Sequence, residues 1–199
     1  SNTNIVIYMD IDVEINNNNF IKFLKYSKKI KNFGVLIPNS KKEIKTKIEK
    51  KWNVEGSIML FNKNKLLDMR FDEKIFLYFE ENDFFFNCLK KGINVIFLPK
   101  VTFVHRRATS IDEKKLREPN KVKQLREWHY MWSHYYFYRK NFGSLFSLKK
   151  NLKIFLKDCF MLFFYFITFN YNNMLLRYCR ISGLLTSIMN LKASKRLKN

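Results

Sequence analysis

The alternation of apolar and polar residues divides the first half of the chain into short strand-like runs and helical ones. Residues 4–9, "NIVIYM", are apolar and rich in β-branched side chains, which predicts a buried strand. Apolar residues then recur at helical spacing over 20–30, and a second strand is predicted over 33–37, ended by Pro38. This β-α-β order is typical of a parallel or mixed sheet with helices packed on it.

The pattern continues with more strands and one helix. A strand is predicted over 54–61, interrupted by Gly56, and a glycine inside a strand often marks a close approach of another chain or a ligand. Residues 80–91 have helical spacing, and two strand pieces are predicted over 95–98 and 101–105. The first 110 residues therefore indicate an α/β fold.

The second half differs in composition and pattern: it is basic and aromatic, and its apolar residues have helical spacing. One helix is predicted beyond Pro119 and ends at Gly143, and two more are predicted over 145–169 and 174–189. No internal sequence repeat stands out along the chain. The chain therefore divides into a sheet-forming part and a helical C-terminal extension, residues 111–199.

The chain is strongly basic, with 38 Lys and Arg against 17 Asp and Glu, a net charge of +21. Such an excess favours an anionic partner, namely nucleic acid, an acidic membrane or a phosphorylated ligand. Coding bias toward Lys, Asn, Ile and Phe is an equally good explanation of most of the lysine excess. The three cysteines form no CxxC pair, which indicates a reducing compartment and neither a disulfide framework nor a zinc knuckle.

Residues 159–169, "CFMLFFYFITF", carry no charge. At ~1.5 Å per residue they span about 16 Å, well short of the roughly 30 Å of a bilayer core. The segment therefore predicts either a buried helix or a helix that lies in a membrane interface. Four lysines precede it, which suits an anionic membrane surface: Lys149, Lys150, Lys153 and Lys157.

Two carboxylates one residue apart, Asp10 and Asp12, come directly after the first predicted strand. Ligands of open α/β sheets bind outside the carboxyl ends of the strands. Paired carboxylates there are able to hold a divalent metal that also grips a diphosphate. His105 ends another predicted strand and is either a structural residue or a third metal ligand.

The stretch "FEENDF" places three carboxylates, Glu80, Glu81 and Asp83, in the first turn of the predicted helix. The positive end of a helix dipole accommodates carboxylates, but three exceed what capping requires. His129 and His134 are five residues apart, which excludes an i, i+4 metal pair and favours packing. The sequence shows neither a nucleophile elbow nor a glycine-rich phosphate loop.

Three segments in order resemble the rhamnosyltransferase-like members of family 2 glycosyltransferases. They are the first strand with its DxD, then "WNVEGSIMLF", then "MRFDEKIFLYFEENDFFFNCLKKGINVIFLPKVTFVHRRATS". That family carries a pattern close to FDE-x-F-F-x-Y-x-E-D-x-D-L-x-x-R-x-x-x-G, followed by a strand, Pro, a second strand and His. The resemblance covers roughly residues 5–110. The positions in register are Phe71, Asp72, Glu73, Phe76, Tyr78, Glu80, Asp83, Gly92, Pro99 and His105.

The resemblance implies a GT-A fold and an inverting sugar transfer from a nucleotide-sugar donor to a cell-surface polysaccharide or lipid-linked oligosaccharide. It places Asp10, Asp12 and His105 at a divalent metal, Mn²⁺ or Mg²⁺, that holds the donor diphosphate. It implies that Glu81 is the general base, with Asp83 as the fallback.

The resemblance also implies an acceptor region and a cellular location. Glu80, Trp52 and Gly56 would lie near the acceptor or the sugar. The basic helices resemble the C-terminal helices of such enzymes, so the expected location is cytoplasmic and peripheral, at the inner face of the cell membrane.

Three departures qualify the resemblance. Glu81 stands where the family usually has Asp, and Asn87 lies near the place of the family's Arg. Only nine residues precede Asp10, where the family has a nucleoside-binding βαβ segment. Residues 1–110 are therefore expected to be a partial, N-terminally truncated GT-A domain, inactive alone.

Two other interpretations of the function are alternatives to an enzyme. One is a non-catalytic, membrane-associated remnant or an interaction subunit of a split glycosyltransferase. The other is a nucleic-acid binder, which the net charge of +21 motivates. The acidic cluster and the lack of a recognised binding motif argue against nucleic acid.

Overall fold

The structure is a computed structural model that describes residues 3–40, 47–106 and 119–196. The chain forms two compact units. The sheet unit comprises Ser1–Phe71 and Glu81–Lys115, and the helical unit comprises Asp72–Glu80 and Leu116–Asn199. The predicted domain boundary after residue 110 lies outside the described residues and stays a prediction.

A mixed five-stranded sheet forms the centre of the sheet unit, in the order β1-β5-β3-β6-β4, with a separate ribbon of β2 and β7. Only β3 and β6 are parallel among the described pairs, and the other pairs are antiparallel. An α/β fold with a mixed sheet is thereby confirmed. The strands are β1 (Ile5–Met9), β2 (Val13–Glu14), β3 (Val35–Asn39), β4 (Glu49–Lys50), β5 (Ile58–Asn62), β6 (Val95–Thr102) and β7 (Val104–His105).

Two helices cover the sheet, α1 (Asn17–Lys29) and α2 (Glu80–Lys90). Side chains of a strand alternate between its faces, so neighbouring residues of β3 join different cores. Leu36 packs in the cluster that contains Phe23 of α1, and Val35 packs in the cluster that contains Phe85 of α2. Each helix therefore has its own hydrophobic layer.

Two of the strand predictions were wrong at proline. Pro38 lies inside β3 and does not end it, and Pro99 lies inside the continuous strand β6. The register between these strands shifts after Pro38, where Asn39 pairs with Thr102. Pro38 directly precedes this shift and Pro99 falls within it, and sheets admit proline at such irregularities.

Two other predictions also need correction. Gly56 precedes β5 instead of interrupting a strand, since β5 begins at Ile58. The strand predicted first in the chain is formed by β1, but its side chains are half-buried or exposed. The reason is that β1 is an edge strand, which leaves its outer side open to solvent.

The helical unit contains α3 (Pro119–Phe142), α4 (Ser144–Ile167) and α5 (Tyr171–Ile188). Gly143, with φ of 92°, joins α3 to α4 in a backbone conformation that favours glycine. A Cβ on Gly183 of α5 would lie 2.2 Å from the Trp128 carbonyl oxygen, so these two helices cross closely. Across the described residues, none of the helices combines the length and apolar character needed to cross a bilayer.

The core of the helical unit is aromatic. Trp128, Met131, Trp132 and Tyr135 of α3 are buried, as are His129 and His134. The prediction that the two histidines form packing surface is confirmed. The segment Asp72–Glu80 docks on the same helix, where the Ser133 hydroxyl donates a hydrogen bond to the Leu77 carbonyl at 2.8 Å.

Candidate metal centre

Local backbone pairing brings the two aspartates and the histidine of the sheet unit together. The Asp10 N–H donates to the Ser57 carbonyl at 2.9 Å, which ties the end of β1 to the start of β5. The β2–β7 ribbon pairs Val13 directly with His105. Because Asp12 immediately precedes Val13, this pairing places Asp12 beside His105.

The ligand atoms of Asp10, Asp12 and His105 all lie within 4.8 Å of one another. His105 Nε2 is 3.1 Å from Asp12 Oδ1, and the two side chains are only 17% and 12% exposed. Ca²⁺ and Mg²⁺ bind oxygen ligands at about 2.0–2.6 Å, so one cation is able to contact all three side chains. Two carboxylates and an imidazole therefore fit a divalent cation in both spacing and donor chemistry.

A fourth residue, Glu55, orients the histidine. His105 Nδ1 lies 2.5 Å from Glu55 Oε1, and the Ser57 hydroxyl donates to the same oxygen at 3.2 Å. Both ring nitrogens face a carboxylate, Nδ1 that of Glu55 and Nε2 that of Asp12. With a cation bound at Nε2, the ring proton would lie on Nδ1 and point at Glu55. A carboxylate behind a ligating histidine fixes its tautomer and raises its basicity.

Glu55 was not predicted from the sequence as a site residue. The signal available in the sequence was its position next to Gly56, at the start of a predicted strand. That signal becomes informative only once the strand is known to begin beside the end of β1.

Gly56 makes room for Glu81. A Cβ on Gly56 would lie 2.6 Å from Glu81 Cγ and 3.0 Å from its Cβ. The expected close approach at this glycine is therefore made by the Glu81 side chain. Since Gly56 lies between Glu55 and Ser57, Glu81 packs against the backbone that supports the metal centre.

Trp52 lies beside the same helix. The Asn82 side-chain amide donates to the Trp52 carbonyl at 3.1 Å, and the Trp52 ring packs edge-on against Phe86 with centroids 5.5 Å apart. The loop that carries Trp52 and Gly56 is thus attached to the first two turns of α2. Three of the predicted site residues, Trp52, Gly56 and Glu81, share this neighbourhood.

The other two acidic residues of the cluster are placed differently. Asp83 is only 1% exposed, and the Asn87 side-chain amide donates to its carboxylate at 3.1 Å. A buried carboxylate held in this way suits helix packing better than taking a proton from a ligand. Glu80 is the first residue of α2 and is half-buried.

The backbone just before α2 is strained. Tyr78 and Phe79 have φ values of 64° and 67°, in the left-handed region that non-glycine residues rarely adopt. Such residues cost about 1–3 kcal/mol each and cluster at functional sites. Ring contacts within the helical unit hold Phe79 in place, among them His134 at 5.3 Å and Phe137 at 5.5 Å between centroids.

Asp72, part of the FDE pattern, has a structural role in the helical unit. Its Oδ2 accepts hydrogen bonds from Tyr136 at 2.9 Å and Lys140 at 2.8 Å. Burial raises the pKa of Asp72, but the Lys140 ammonium, the Lys74 N–H and the Tyr136 hydroxyl together hold that pKa below its ordinary value. The carboxylate therefore ties the segment Asp72–Glu80 to α3.

Comparison of the chain with protein-family models, with curated proteins and with solved structures finds no match. The functional assignment of the metal centre depends on its residues and their geometry.

Proposed function

We propose that the chain supplies the metal-binding and acceptor-binding part of an inverting glycosyltransferase of the GT-A type. Its donor is a nucleotide-sugar, and its acceptor is a cell-surface polysaccharide or a lipid-linked glycan. The observation that carries the proposal is the convergence of Asp10, Asp12 and His105 at the ends of β1 and β7. Ligands of α/β sheets bind at such strand ends.

In this proposal Asp10, Asp12 and His105 hold a divalent cation, Mn²⁺ or Mg²⁺, and Glu55 keeps the His105 lone pair directed at it. When bound, the cation offsets the negative charge of the departing diphosphate. The chain's own contribution is a preformed set of ligands, only partly exposed to water.

Glu81 is the proposed general base. The acceptor hydroxyl oxygen attacks the anomeric carbon, the bond from that carbon to the diphosphate breaks, and the hydroxyl proton passes to Glu81. Trp52, Gly56 and Glu80 are the proposed acceptor-side residues. Asp83 is buried and hydrogen-bonded, which supports Glu81 over Asp83 as the base.

The contact between Gly56 and Glu81 explains how a glutamate fits where the family pattern has an aspartate. Glutamate is longer than aspartate by one methylene, and a misplacement near 1 Å costs about 100-fold in rate. The missing Cβ of Gly56 provides room for the Glu81 Cγ. The small size of Gly56 therefore supports Glu81, which is longer than the usual aspartate, as the general base.

The test is Mn²⁺ binding, measured by electron paramagnetic resonance on the full chain. We expect one saturable site, and we expect Asp12→Asn to weaken it by more than about 100-fold, the upper end of the loss from removing a supporting residue. Asp68→Asn is the matched control, since Asp68 is an exposed aspartate of the same unit. Equal affinity in wild type and Asp12→Asn would overturn the metal centre.

A second measurement separates a metal site from a transferase. Inorganic pyrophosphate and a panel of nucleoside diphosphates are added to the Mn²⁺-loaded chain. Tighter Mn²⁺ binding in the presence of a diphosphate supports the transferase. Unchanged affinity with every member of the panel would leave a metal site and reject sugar transfer.

A further inference from the structure

Helix α4 presents an apolar stripe to solvent. Leu156 and Phe163 are 58% and 63% exposed, and the other members of the stripe are similarly open. Residues spaced by seven, four and seven positions fall on one side of a helix. The stripe consists of Leu145, Leu152, Leu156 and Phe163.

A row of lysines runs beside this stripe. Lys149, Lys153 and Lys157 follow one another at four-residue spacing and are all exposed. Four-residue spacing keeps side chains on one face, so the row lies along the edge of the stripe. The long lysine stems are able to extend from an apolar region to a polar one.

Negative charge is absent from the outward face of α4 and α5. The only acidic residue of these two helices is Asp158, which is buried and accepts hydrogen bonds from Arg177 at 2.7 Å and Arg180 at 2.8 Å. Those two arginines neutralise it inside the helical unit. The exposed surface of α4 therefore combines apolar side chains with positive charge alone.

An open apolar groove of about 510 Å³ continues the stripe between α4 and α5. Phe163, a member of the stripe, lines it together with Phe166, Leu175 and Tyr178. A volume of this size falls within the range of small-ligand pockets, ~300–1,000 Å³. The lining offers apolar contact and suits a hydrocarbon chain.

We propose that α4 binds the surface of an anionic lipid bilayer and lies in its interface. The apolar stripe faces the acyl chains, the lysine row faces the headgroup phosphates, and the groove receives an acyl chain. Amphipathic helices bind in this way through buried apolar area and attraction to anionic lipids. The proposal does not depend on the metal centre or on sugar transfer.

Two other occupants fit the surface less well. A nucleic acid would pair with the lysines but would gain nothing from the leucine stripe beside them. A second copy of α4 would bury the stripe but would bring like-charged lysine rows together, which is unfavourable. A bilayer matches both features at once.

The test is co-sedimentation of the full chain with vesicles of phosphatidylcholine containing 30 mol% phosphatidylglycerol, against vesicles of phosphatidylcholine alone. The triple variant Lys149→Gln, Lys153→Gln, Lys157→Gln should bind anionic vesicles on the order of 100-fold more weakly, from about fivefold per lysine. The matched control replaces Lys22, Lys25 and Lys29 of α1 by Gln, with the same change in net charge. Equal losses in both triple variants would overturn the proposal, because net charge alone would then explain binding.

A second variant tests the apolar stripe. Leu156→Gln combined with Phe163→Gln should weaken binding to anionic vesicles at least tenfold, and its thermal unfolding should match wild type because both side chains are exposed. Unchanged vesicle binding in this variant would reject insertion of the stripe. Analytical ultracentrifugation without lipid tests whether a second copy of the chain binds this face instead. Dimerisation that the same two substitutions abolish would assign the face to a second copy and overturn the proposal of bilayer binding.

Discussion

Ionisable residues are arranged in opposite ways in the two units. In the sheet unit, His105 lies between two carboxylates, with Glu55 at one ring nitrogen and Asp12 at the other, and all three side chains are partly exposed. In the helical unit, His134 is buried and its Nδ1 donates to the Asn151 side-chain oxygen at 2.8 Å. The neighbours of a histidine, and not its presence, therefore distinguish a candidate ligand from a packing residue.

The partner of His134 is itself fixed. The Asn151 amide donates to the Ser147 carbonyl at 2.8 Å, which leaves its side-chain oxygen to face the imidazole. Burial lowers the pKa of His134 to about 4, with Lys150 and Arg180 acting in the same direction. The ring is therefore kept neutral at physiological pH and serves the core of the helical unit.

The first prediction concerns the proposed chemistry of the sheet unit and leaves its proposed metal ligands unaltered. Glu81→Gln removes the proposed base while keeping the size of the side chain against Gly56. Sugar transfer should fall by about 10²- to 10⁴-fold, the usual contribution of general base catalysis. Mn²⁺ affinity should stay within twofold of wild type, because Glu81 is not among the cation's proposed ligands.

The control for this variant lies in the other unit. Glu73→Gln makes the same chemical change at an exposed position of the segment Asp72–Glu80, and it should leave transfer unchanged. Full activity of Glu81→Gln would show that Glu81 is not the general base. Loss of transfer in both variants would show that the helical unit also takes part in the chemistry.

The next effect concerns the stability of the helical unit. The pKa of His134 is about 4 in the folded chain and about 6.5 in an unfolded one, so the unfolded state binds more protons between these values. Stability from the neutral ring is therefore complete above pH 6.5 and is lost as pH falls toward 4, by about 3 kcal/mol. Urea unfolding at pH 7 and pH 4 measures this loss.

His134→Gln is the variant that isolates the effect. Glutamine offers an amide to Asn151 but does not titrate, so the pH dependence of its unfolding free energy should be flatter by about the same 3 kcal/mol. His129, whose pKa burial also lowers, accounts for part of the slope that remains. An identical slope in wild type and variant would show that His134 is not the titrating group.

The sequence predicted those features that depend on local spacing. The helices of both units follow from apolar residues three and four apart, and α2 spans Glu80–Lys90 as expected. The strand boundaries at Pro38 and Pro99 were predicted wrongly because proline commonly ends a strand, whereas the register shift beside these residues is a property of two paired strands.

The three proposed ligands of the candidate metal centre were predicted from the sequence, but the residue that supports His105 was not. Asp10 and Asp12 follow a strand, so strand-end reasoning marked them as candidate ligands, whereas only the family resemblance grouped His105 with them. Glu55 contacts His105 from 50 residues away along the chain. No local pattern marks such a contact, because it forms only when β5 begins beside the end of β1.

The last prediction concerns the carboxylate that contacts His105 and has no counterpart at His134. Glu55→Gln preserves the shape of the side chain and a hydrogen-bond acceptor for His105 Nδ1, but it removes the charge that makes the ring a better ligand. Loss of a supporting residue of this kind typically costs 10- to 100-fold in metal affinity, so Mn²⁺ binding should fall by about that factor.

Glu14→Gln is the matched control for Glu55→Gln. Glu14 lies on the β2–β7 ribbon, close in sequence to Asp12, and forms an exposed ion pair with Arg106 at 2.7 Å. Exposed pairs of this kind contribute little energy, so Mn²⁺ affinity should stay within twofold of wild type. The expected order of loss is Asp12→Asn, then Glu55→Gln, then Glu14→Gln. Equal losses for the two glutamates would mean that overall negative charge near the ribbon sets the affinity, and that Glu55 does not orient His105.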